Sequence, residues 1–268
     1  MVIRDIPPGA DRGFDNRRLP VYEAGEIDVP FVVWGSGEEI ARDTFWEEHA
    51  HPTHELLWNE YGASSATVGA RVWTVTSTVG LWIPAGVRHS GWTPAGTRHR
   101  AAHFGVRAVP AIADRPVAVE VTPLLRLLLD RLDHEGLSEG ERARTEGMVV
   151  DLIAPARNEI LLQIPESPLL APIVAAVLEN PADTTTLAAW AARLGVSSRT
   201  LTRAFQAGTG LGFSRWVATA RVRHAIALLS RGEDIEEVAS CVGYHSVSAF
   251  GAAFRRITGT SPGRFRAC

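Results

Sequence analysis

Near the end of the chain, apolar residues recur at helical spacing in two short runs that a glycine separates. The first run begins at Ile235, and its apolar positions are three or four residues apart, as on one face of a helix. Gly243 interrupts the pattern, and Ser246 is a favourable N-cap for a second helix that ends at Gly259. The apolar positions are Ile235, Val238, Ala239, Val242, Phe250, Ala253, Phe254 and Ile257. The pattern predicts two short helices joined by a tight turn, which is a helix-turn-helix.

The same layout occurs 48 residues earlier in the chain. Leu187 corresponds to Ile235, and Gly195 corresponds to Gly243. Ser197 then has the position of an N-cap for the helix that follows. A longer amphipathic pattern lies between the two units and includes Trp216, Val217, Ala220, Ile226 and Leu229. The sequence therefore predicts two helix-turn-helix units that are linked by one long helix.

Three segments of this region are similar to the AraC/XylS family of transcription regulators. They are LAAWAARLGVSSRTLTRAF, RVRHAIALL and VASCVGYHSVSAFGAAFRRITGTSPGRFR, and the resemblance covers about residues 168–267. It implies an all-α DNA-binding domain with two helix-turn-helix motifs joined by a long helix. It also implies double-stranded promoter DNA as a partner, contacts with RNA polymerase, and a homodimer.

The second helix of each unit is expected to enter the major groove and to meet base edges with its outward positions. Arg199 and Arg203 are four residues apart on one helix face, and arginine can bind guanine through two hydrogen bonds. Both match base-reading positions of the family, as Thr202 does, and phosphate contact is the alternative for the two arginines. In the second unit we expect Arg255 and Arg256 to bind phosphates and to position the domain. The predicted DNA-binding residues are Ser198, Arg199, Thr202, Arg203, Gln206, Val247, Ser248, Ala252, Arg255 and Arg256.

From about residue 29 to residue 121 the pattern changes to short β-branched and aromatic runs between turn residues. Runs such as VPFVVW, ATVGARVWTV and TVGLWIP are typical of a sandwich or small barrel. The segments HAHPTHE at residues 49–55 and PAGVRH at residues 84–89 fit the two halves of the cupin motif. The region therefore resembles the cupin-like sensor domain that is common at the N-terminus of AraC-type regulators.

The predicted fold is α+β with two domains, a cupin-like β-barrel with following helices and an all-α DNA-binding domain. Residues 1–20 are polar and are expected to form a flexible arm. The sensor domain is predicted over residues 21–115, and a helical dimerisation and linker region over residues 116–164. The DNA-binding domain is predicted over residues 165–268.

The cupin resemblance brings a candidate metal site. In cupin enzymes a divalent metal is held by the equivalents of His49, His51, Glu55 and His89. Three imidazoles and a carboxylate suit Zn, Fe, Mn or Ni, and alternation along a strand lets His49 and His51 converge. A small-molecule pocket that uses these side chains without metal and ordinary structural roles are the alternatives, so no cofactor is required. His54 is expected to point away from Glu55, into solvent.

Aromatic residues suggest what else lines the pocket. Six of the eight tryptophans lie in this region, and tryptophan offers a large apolar face with one donor. The alternative is that several of them only fill the barrel. The predicted effector-pocket residues are His49, His51, Glu55, Trp58, Trp73, Trp82, His89 and His103.

Residues 120–134, EVTPLLRLLLDRLDH, form a strong amphipathic pattern in which Pro123 suits the first helical turn. The predicted stripe is Val121, Leu124, Leu125, Leu128 and Leu132. It packs on the sensor's own sheet, or pairs with a second subunit, or does both, and AraC-type regulators commonly dimerise through helices here. A second helix is predicted over residues 138–153.

Charge and cysteine usage agree with this organisation. The net charge is −3, but residues 1–164 carry 16 Arg against 23 acidic residues, and residues 165–268 carry 11 Arg against 7. A basic C-terminal part on an acidic body is typical of a DNA-binding module joined to another domain. Two cysteines are too few for a disulfide scaffold, and Cys241 is expected in a helix core. The chain shows neither a signal-peptide pattern nor 18 consecutive apolar residues, so we expect it in the cytoplasm.

Together these patterns predict a sequence-specific DNA-binding transcription regulator whose cupin-like domain senses a small-molecule effector. No nucleophile or acid–base set accompanies the four candidate metal ligands, so no enzymatic activity is expected. The alternative is a cupin-type metal-dependent enzyme or binding protein with a vestigial helix-turn-helix module.

Overall fold

The computed structural model describes residues 13–266, and their contacts divide the chain into two compact units. The N-terminal unit comprises residues 13–68 and 74–159. The C-terminal unit is described over residues 69–73 and 160–266. Residues 1–12 of the predicted arm lie outside the described residues. Every helix between residues 13 and 266 is too short or too polar to cross a membrane.

Two β-sheets form the body of the N-terminal unit. The strands are β1 Asp15–Arg17, β2 Val33–Glu39, β3 Thr44–His49, β4 His54–Tyr61, β5 Ser64–Val68, β6 Arg71–Val75, β7 Val79–Ile83, β8 His89–Thr93, β9 Arg98–Phe104 and β10 Val117–Glu120. One sheet has the order β1-β3-β8-β5-β6, and the other has the order β10-β7-β4-β9-β2. Within the predicted flexible arm, residues 15–17 form a strand instead, because their backbone pairs in parallel with β3.

Side chains on the second sheet alternate between two faces. On β4, Glu55 and Leu57 face the space between the sheets, whereas Leu56 and Trp58 belong to a hydrophobic core on the other side. Trp82 of β7 is fully buried in the same core. Two helices cover this face, α1 (Pro123–Leu132) and α2 (Glu139–Leu152). The sheet therefore separates a polar interior from an apolar, helix-covered side.

Helix α1 has one inward and one outward apolar face. Its N-cap is Thr122, and its buried side chains are Leu125, Leu129 and Leu132. Leu124 of the predicted stripe is 49% exposed and takes no part in this packing, because the 3.6-residue period from Leu125 continues through Leu129. Pairing of Leu124 with a second subunit stays a prediction. The outward apolar face consists of Leu124 and Leu127.

Arg100 of β9 fastens α1 to the sheet. Its Nη2 donates hydrogen bonds to Asp130 Oδ1 at 3.0 Å and to Asp133 Oδ2 at 2.6 Å, both on or next to α1. The arginine side chain is 10% exposed, so its charge is buried and compensated by two carboxylates. The pair of bonds fixes the C-terminal end of α1 over β9.

The C-terminal unit contains strand β11 and a set of helices. Strand β11 (Leu161–Gln163) pairs with Arg71–Trp73, and the helices are α3 Ala171–Glu179, α4 Leu187–Arg193, α5 Ser198–Thr209, α6 Phe213–Leu229, α7 Ile235–Cys241, α8 Val247–Thr258 and α9 Pro262–Arg266. The predicted caps are present, because the hydroxyls of Ser197 and Ser246 accept hydrogen bonds from the backbone of α5 and α8. Cys241 is exposed, so its predicted core role is wrong; α7 instead buries Val238 and Ala239.

Candidate functional sites

A cavity of about 340 Å³ lies between the two sheets of the N-terminal unit. Its polar lining is dominated by imidazoles and one buried carboxylate. The titratable side chains that line it are Glu38, His49, His51, Glu55, His89, His99 and His103. Among the described residues, no arginine contributes to the lining.

Three of these histidines converge on one point and are called the histidine cluster: His49, His51 and His89. Their ring centroids lie 4.2 Å (His49 to His89), 5.0 Å (His49 to His51) and 5.5 Å (His51 to His89) apart. One nitrogen from each of the three lies within 4.8 Å of the others. A register shift in β3 between Trp46 and His49 allows both side chains to line the cavity although they are three residues apart.

Backbone carbonyls fix the orientation of two cluster rings. His49 Nδ1 lies 2.7 Å from the carbonyl oxygen of Glu47, and His89 Nδ1 lies 3.0 Å from that of Val87. A carbonyl can only accept, so both Nδ1 atoms carry the proton and donate. The Nε2 atoms are left free to face the cavity, which is the arrangement that metal-binding histidines have.

Glu55 lies directly beside the cluster. Its Oε2 is 3.3 Å from His89 Nε2, and its Oε1 is 3.5 Å from His51 Nε2. Oε2 is buried and has no well-aligned hydrogen-bond donor among the described residues. With a neutral His89, two lone pairs would face each other across 3.3 Å, which is unfavourable in a buried site. The arrangement therefore requires a cation between them, either a proton on His89 or a metal ion.

Burial and neighbouring charges decide the protonation of this group. Burial lowers the pKa of His49 to about 4, with a further contribution from nearby His89, so His49 is neutral near pH 7. Burial raises the pKa of Glu55, but the adjacent His89 and His51 outweigh it, and the net pKa is lowered. Burial lowers the pKa of His89, whereas its contact with Glu55 raises it more. The site thus combines the carboxylate anion of Glu55 with a neutral His49, and the contact with Glu55 favours a cation at His89.

The structure does not bring the predicted tryptophans into the cavity. Trp58 lies in the helix-covered core, 5.6 Å from the guanidinium of Arg100, and Trp82 stacks on His54 at 5.3 Å. Strand alternation explains both placements, because Trp58 is three residues from Glu55 and so faces the opposite side. Trp73 is buried but also lies outside the cavity lining.

The orientation of His54 is as expected, but its surroundings are not. It points away from Glu55, yet it is buried rather than solvated. Its Nδ1 accepts a hydrogen bond from the backbone of Ala85 at 3.0 Å. Burial lowers its pKa. His54 therefore belongs to the core on the far side of β4.

Two residues that line the cavity were not among the predicted pocket residues. Trp46 lines the cavity, and its Nε1 donates to Thr93 Oγ1 at 3.2 Å. His99 packs against the Trp46 ring, at 5.8 Å between centroids, and burial lowers its pKa. Alternation back from His103 along β9 could have identified His99, because the two are four residues apart. Trp46 could not be found in this way, because the register shift in β3 is not visible in the sequence.

Helix α5 presents the predicted reading face to solvent. Its buried side chains are Leu201 and Phe205, and the exposed ones include Ser198, Arg199, Thr202, Arg203 and Gln206. No described carboxylate forms an ion pair with Arg199 or Arg203. Thr202 Oγ1 donates to the Ser198 carbonyl at 2.9 Å, and Gln206 Nε2 donates to the Gly210 carbonyl at 2.9 Å. Arg199 and Arg203 therefore keep their guanidinium donors available on this face.

Helix α8 repeats this arrangement with a less polar surface. It buries Phe250, Ala253 and Phe254. Its predicted contact positions are all exposed: Val247, Ser248, Ala252, Arg255 and Arg256. The cations lie in its last turn, and Val247 and Ala252 are apolar. Such a surface suits contact with phosphates and thymine methyl groups more than hydrogen bonding to bases.

Two family models match the chain, the AraC-like ligand binding domain over residues 37–149 and a helix-turn-helix domain over residues 190–267. The chain belongs to the AraC family of transcription regulators. It is an AraC-type regulator with a ligand-binding domain and a helix-turn-helix DNA-binding domain. The histidine cluster and Glu55 lie in the part of the chain that the first model covers, and α5 and α8 lie in the part that the second covers.

Individual relatives match to different extents. The HTH-type transcriptional regulator NimR of Escherichia coli is 26% identical over 247 residues, which are 90% of this chain and 88% of that protein. The HTH-type transcriptional regulator RipA of Corynebacterium glutamicum is 42% identical over 108 residues, which are 38% of this chain and 33% of that protein. The solved DNA-binding domain of AdpA in complex with a target DNA is 37% identical, covers 38% of this chain and 92% of that chain, and has a TM-score of 0.36.

The two reading helices should respond differently to loss of an arginine. Arg203→Ala should weaken binding by about 1–3 kcal/mol and relax the preference at one base pair, whereas Arg255→Ala should weaken all sequences alike and lower the salt slope by about one. Both effects can be measured by titrating duplexes, selected from genomic fragments with the wild-type protein, at several salt concentrations. Arg215→Ala on α6 is a control with the same charge change outside both reading faces. Unchanged affinity and base preference in Arg203→Ala would show that α5 does not read sequence.

Proposed function

We propose that this regulator binds a divalent metal ion with the histidine cluster and Glu55, and that the metal contributes to holding its small-molecule effector. The observation that carries the proposal is the buried, unaligned contact of 3.3 Å between Glu55 Oε2 and His89 Nε2. The carbonyl contacts of His49 and His89 add to it, since they direct free Nε2 atoms into the cavity. The donor set of three imidazoles and a carboxylate suits a borderline divalent ion.

In such a site different residues would bind the ion and the effector. A bound ion would neutralise the charge of Glu55 and offer a coordination position to an oxygen or nitrogen atom of the effector. The cluster holds the ion, and the remaining cavity surface, with Trp46 and Leu57, supplies apolar contacts to the rest of the effector. We propose a binding role for this site and not catalytic turnover, in a cytoplasmic protein.

We further propose that the regulator is a homodimer that pairs through the outward face of α1. Leu124 and Leu127 are 49% and 66% exposed, and Met148 on the adjacent α2 is 48% exposed. An exposed apolar face on two packed helices is typical of an interface, and a second copy offers the same face. The dimer would present two DNA-binding domains to a promoter, where contacts with RNA polymerase are expected.

Metal binding can be tested by removing one ligand atom. His89→Asn keeps a donor at the position of Nδ1 for the Val87 carbonyl but removes Nε2, so affinity for Zn²⁺ should fall by about tenfold or more. The measurement is a Zn²⁺ titration of the chelator-treated full-length protein. The matched control is His54→Asn, which makes the same change on the other face of β4, retains an acceptor for Ala85, and should bind Zn²⁺ normally. Equal affinity in His89→Asn and the wild type would contradict the site.

The dimer can be tested by placing a charge on the proposed interface. Leu127→Glu would bury an uncompensated carboxylate between the subunits, so the dimer dissociation constant should rise by about tenfold or more. Sedimentation equilibrium of the full chain measures this constant. Ile27→Glu adds the same charge at an exposed apolar residue outside α1 and α2 and should leave association unchanged. A wild-type monomer, or a Leu127→Glu dimer of normal affinity, would rule out this interface.

A further inference from the structure

Arg221, on the long helix α6, contacts both helix-turn-helix units. Its Nε donates to the carbonyl oxygen of Pro181 at 2.8 Å, and its Nη2 donates to that of Asp183 at 3.0 Å. Both carbonyls belong to the loop that leads into α4, at the start of the first unit. Its Nη1 donates to the carbonyl oxygen of Gly243 at 3.2 Å, in the turn of the second unit. One half-buried guanidinium therefore joins the two units through three backbone acceptors.

The backbones of the two units also touch at this point. Gly243 has a φ of 78°, and a Cβ added there would lie 2.9 Å from Ala182 Cα and 3.0 Å from Arg221 Nη2. Only glycine fits both the left-handed conformation and this close approach. The next residue, Tyr244, has its ring 5.5 Å from the Arg221 guanidinium and packs on Phe250 of α8. The contact thus extends into the core of the second unit.

Next to this junction a cavity separates α4 from α8, and Arg221 and Tyr244 are among the residues that line it. The cavity has a volume of about 500 Å³ and is also lined by Trp190 of α4, Val217 of α6 and Ala252 of α8. Helices α5, α7 and α8 all pack on α6, so both units share this helix. Because open space lies between α4 and α8, their separation is set by α6 and by the junction of Arg221, Ala182 and Gly243.

We propose that Arg221 is a positioning residue that fixes the distance and angle between α5 and α8. It thereby sets the spacing that one DNA-binding domain accepts between the base pairs contacted by α5, the α5 group, and those contacted by α8, the second group. The inference rests on α5 and α8 both contacting DNA, and it is independent of the metal site and the dimer. A planar guanidinium is needed because its donors point in three fixed directions, whereas a lysine ammonium is a point charge on a flexible stem. Each inserted base pair moves the second group by about 3.4 Å and rotates it by roughly a tenth of a turn.

The test varies the spacing of the DNA and the residue together. The duplexes are the sequence selected by the wild-type protein, its derivatives with one or two base pairs inserted or removed between the two footprinted groups, and a duplex that retains the α5 group alone. For the full-length wild type, one inserted base pair should lower affinity about tenfold, because the second group loses its effective concentration.

Arg221→Met keeps the apolar stem and removes all three donors. It should lose about tenfold in affinity for the selected spacing, retain affinity for the α5 group alone within about twofold, and show a spacing profile flattened to about threefold. Arg221→Lys should give an intermediate profile. Gly243→Ala, which forces the two backbones apart, should also flatten or shift the profile although it leaves Arg221 intact. Arg215→Met, the same change at an exposed position of α6, should keep the wild-type profile.

Three results would overturn the proposal. A steep, unshifted profile in both Arg221→Met and Gly243→Ala would show that the junction does not set the spacing. Loss of binding to the α5 group alone in Arg221→Met, in a protein that circular dichroism shows to be folded, would assign Arg221 a general role in DNA binding. A flat profile in the wild type would show that α8 contributes no spaced contact, so that the premise itself fails.

Discussion

The alternation of side chains along the strands of the second sheet is the constraint on which the N-terminal unit depends. One residue along β4 separates Glu55, in the cavity, from Leu56, in the helix-covered core. Strand β4 therefore lines the polar cavity with one face and forms, with its apolar face, part of the core that α1 and α2 cover. Because a shift of one residue would exchange the two faces, the register of β4 with β7 and β9 determines both the chemistry of the cavity and the seat of the helices.

The C-terminal unit holds two similar helices, α5 and α8, on one scaffold. Its internal repeat supplies the same N-cap and left-handed C-cap to α5 and α8, with Ser197 and Gly210 in one and Ser246 and Gly259 in the other. The repeat does not extend to the exposed faces. Arg199 and Arg203 have no equivalents on the early turns of α8, so one scaffold carries a polar reading face and a largely apolar one. The geometry of the pair then depends on α6 and on the junction at Gly243.

Local patterns allowed the helices and their caps to be predicted, because each depends on neighbours within one or two turns. The histidine cluster was predicted from the resemblance of two separate segments to the cupin motif. Placements that depend on distant pairing were not predictable. The register shift in β3 brings Trp46 into the cavity, and the covering helices make Trp58 and Trp82 core residues. The leucine-rich pattern of α1 fits two faces, so the sequence could not separate the buried Leu125 and Leu129 from the exposed Leu124. The contacts of Arg221 were not predictable either, because its three backbone acceptors come from loops 38 to 40 residues before it and 22 residues after it.

Strand β9 connects the cavity to the outward face of α1 within the N-terminal unit. His103 points into the cavity, 4.0 Å from Glu55, while Arg100 on the opposite face of the strand binds Asp130 and Asp133. A ligand in the cavity and the packing of α1 would therefore both depend on the same short segment of β9. A ligand can change DNA binding only if it binds two arrangements of the protein unequally. Strand β9 carries the ion pairs of the buried Arg100 on one face and a cavity histidine on the other. It is therefore an element through which such a difference would reach the proposed subunit interface.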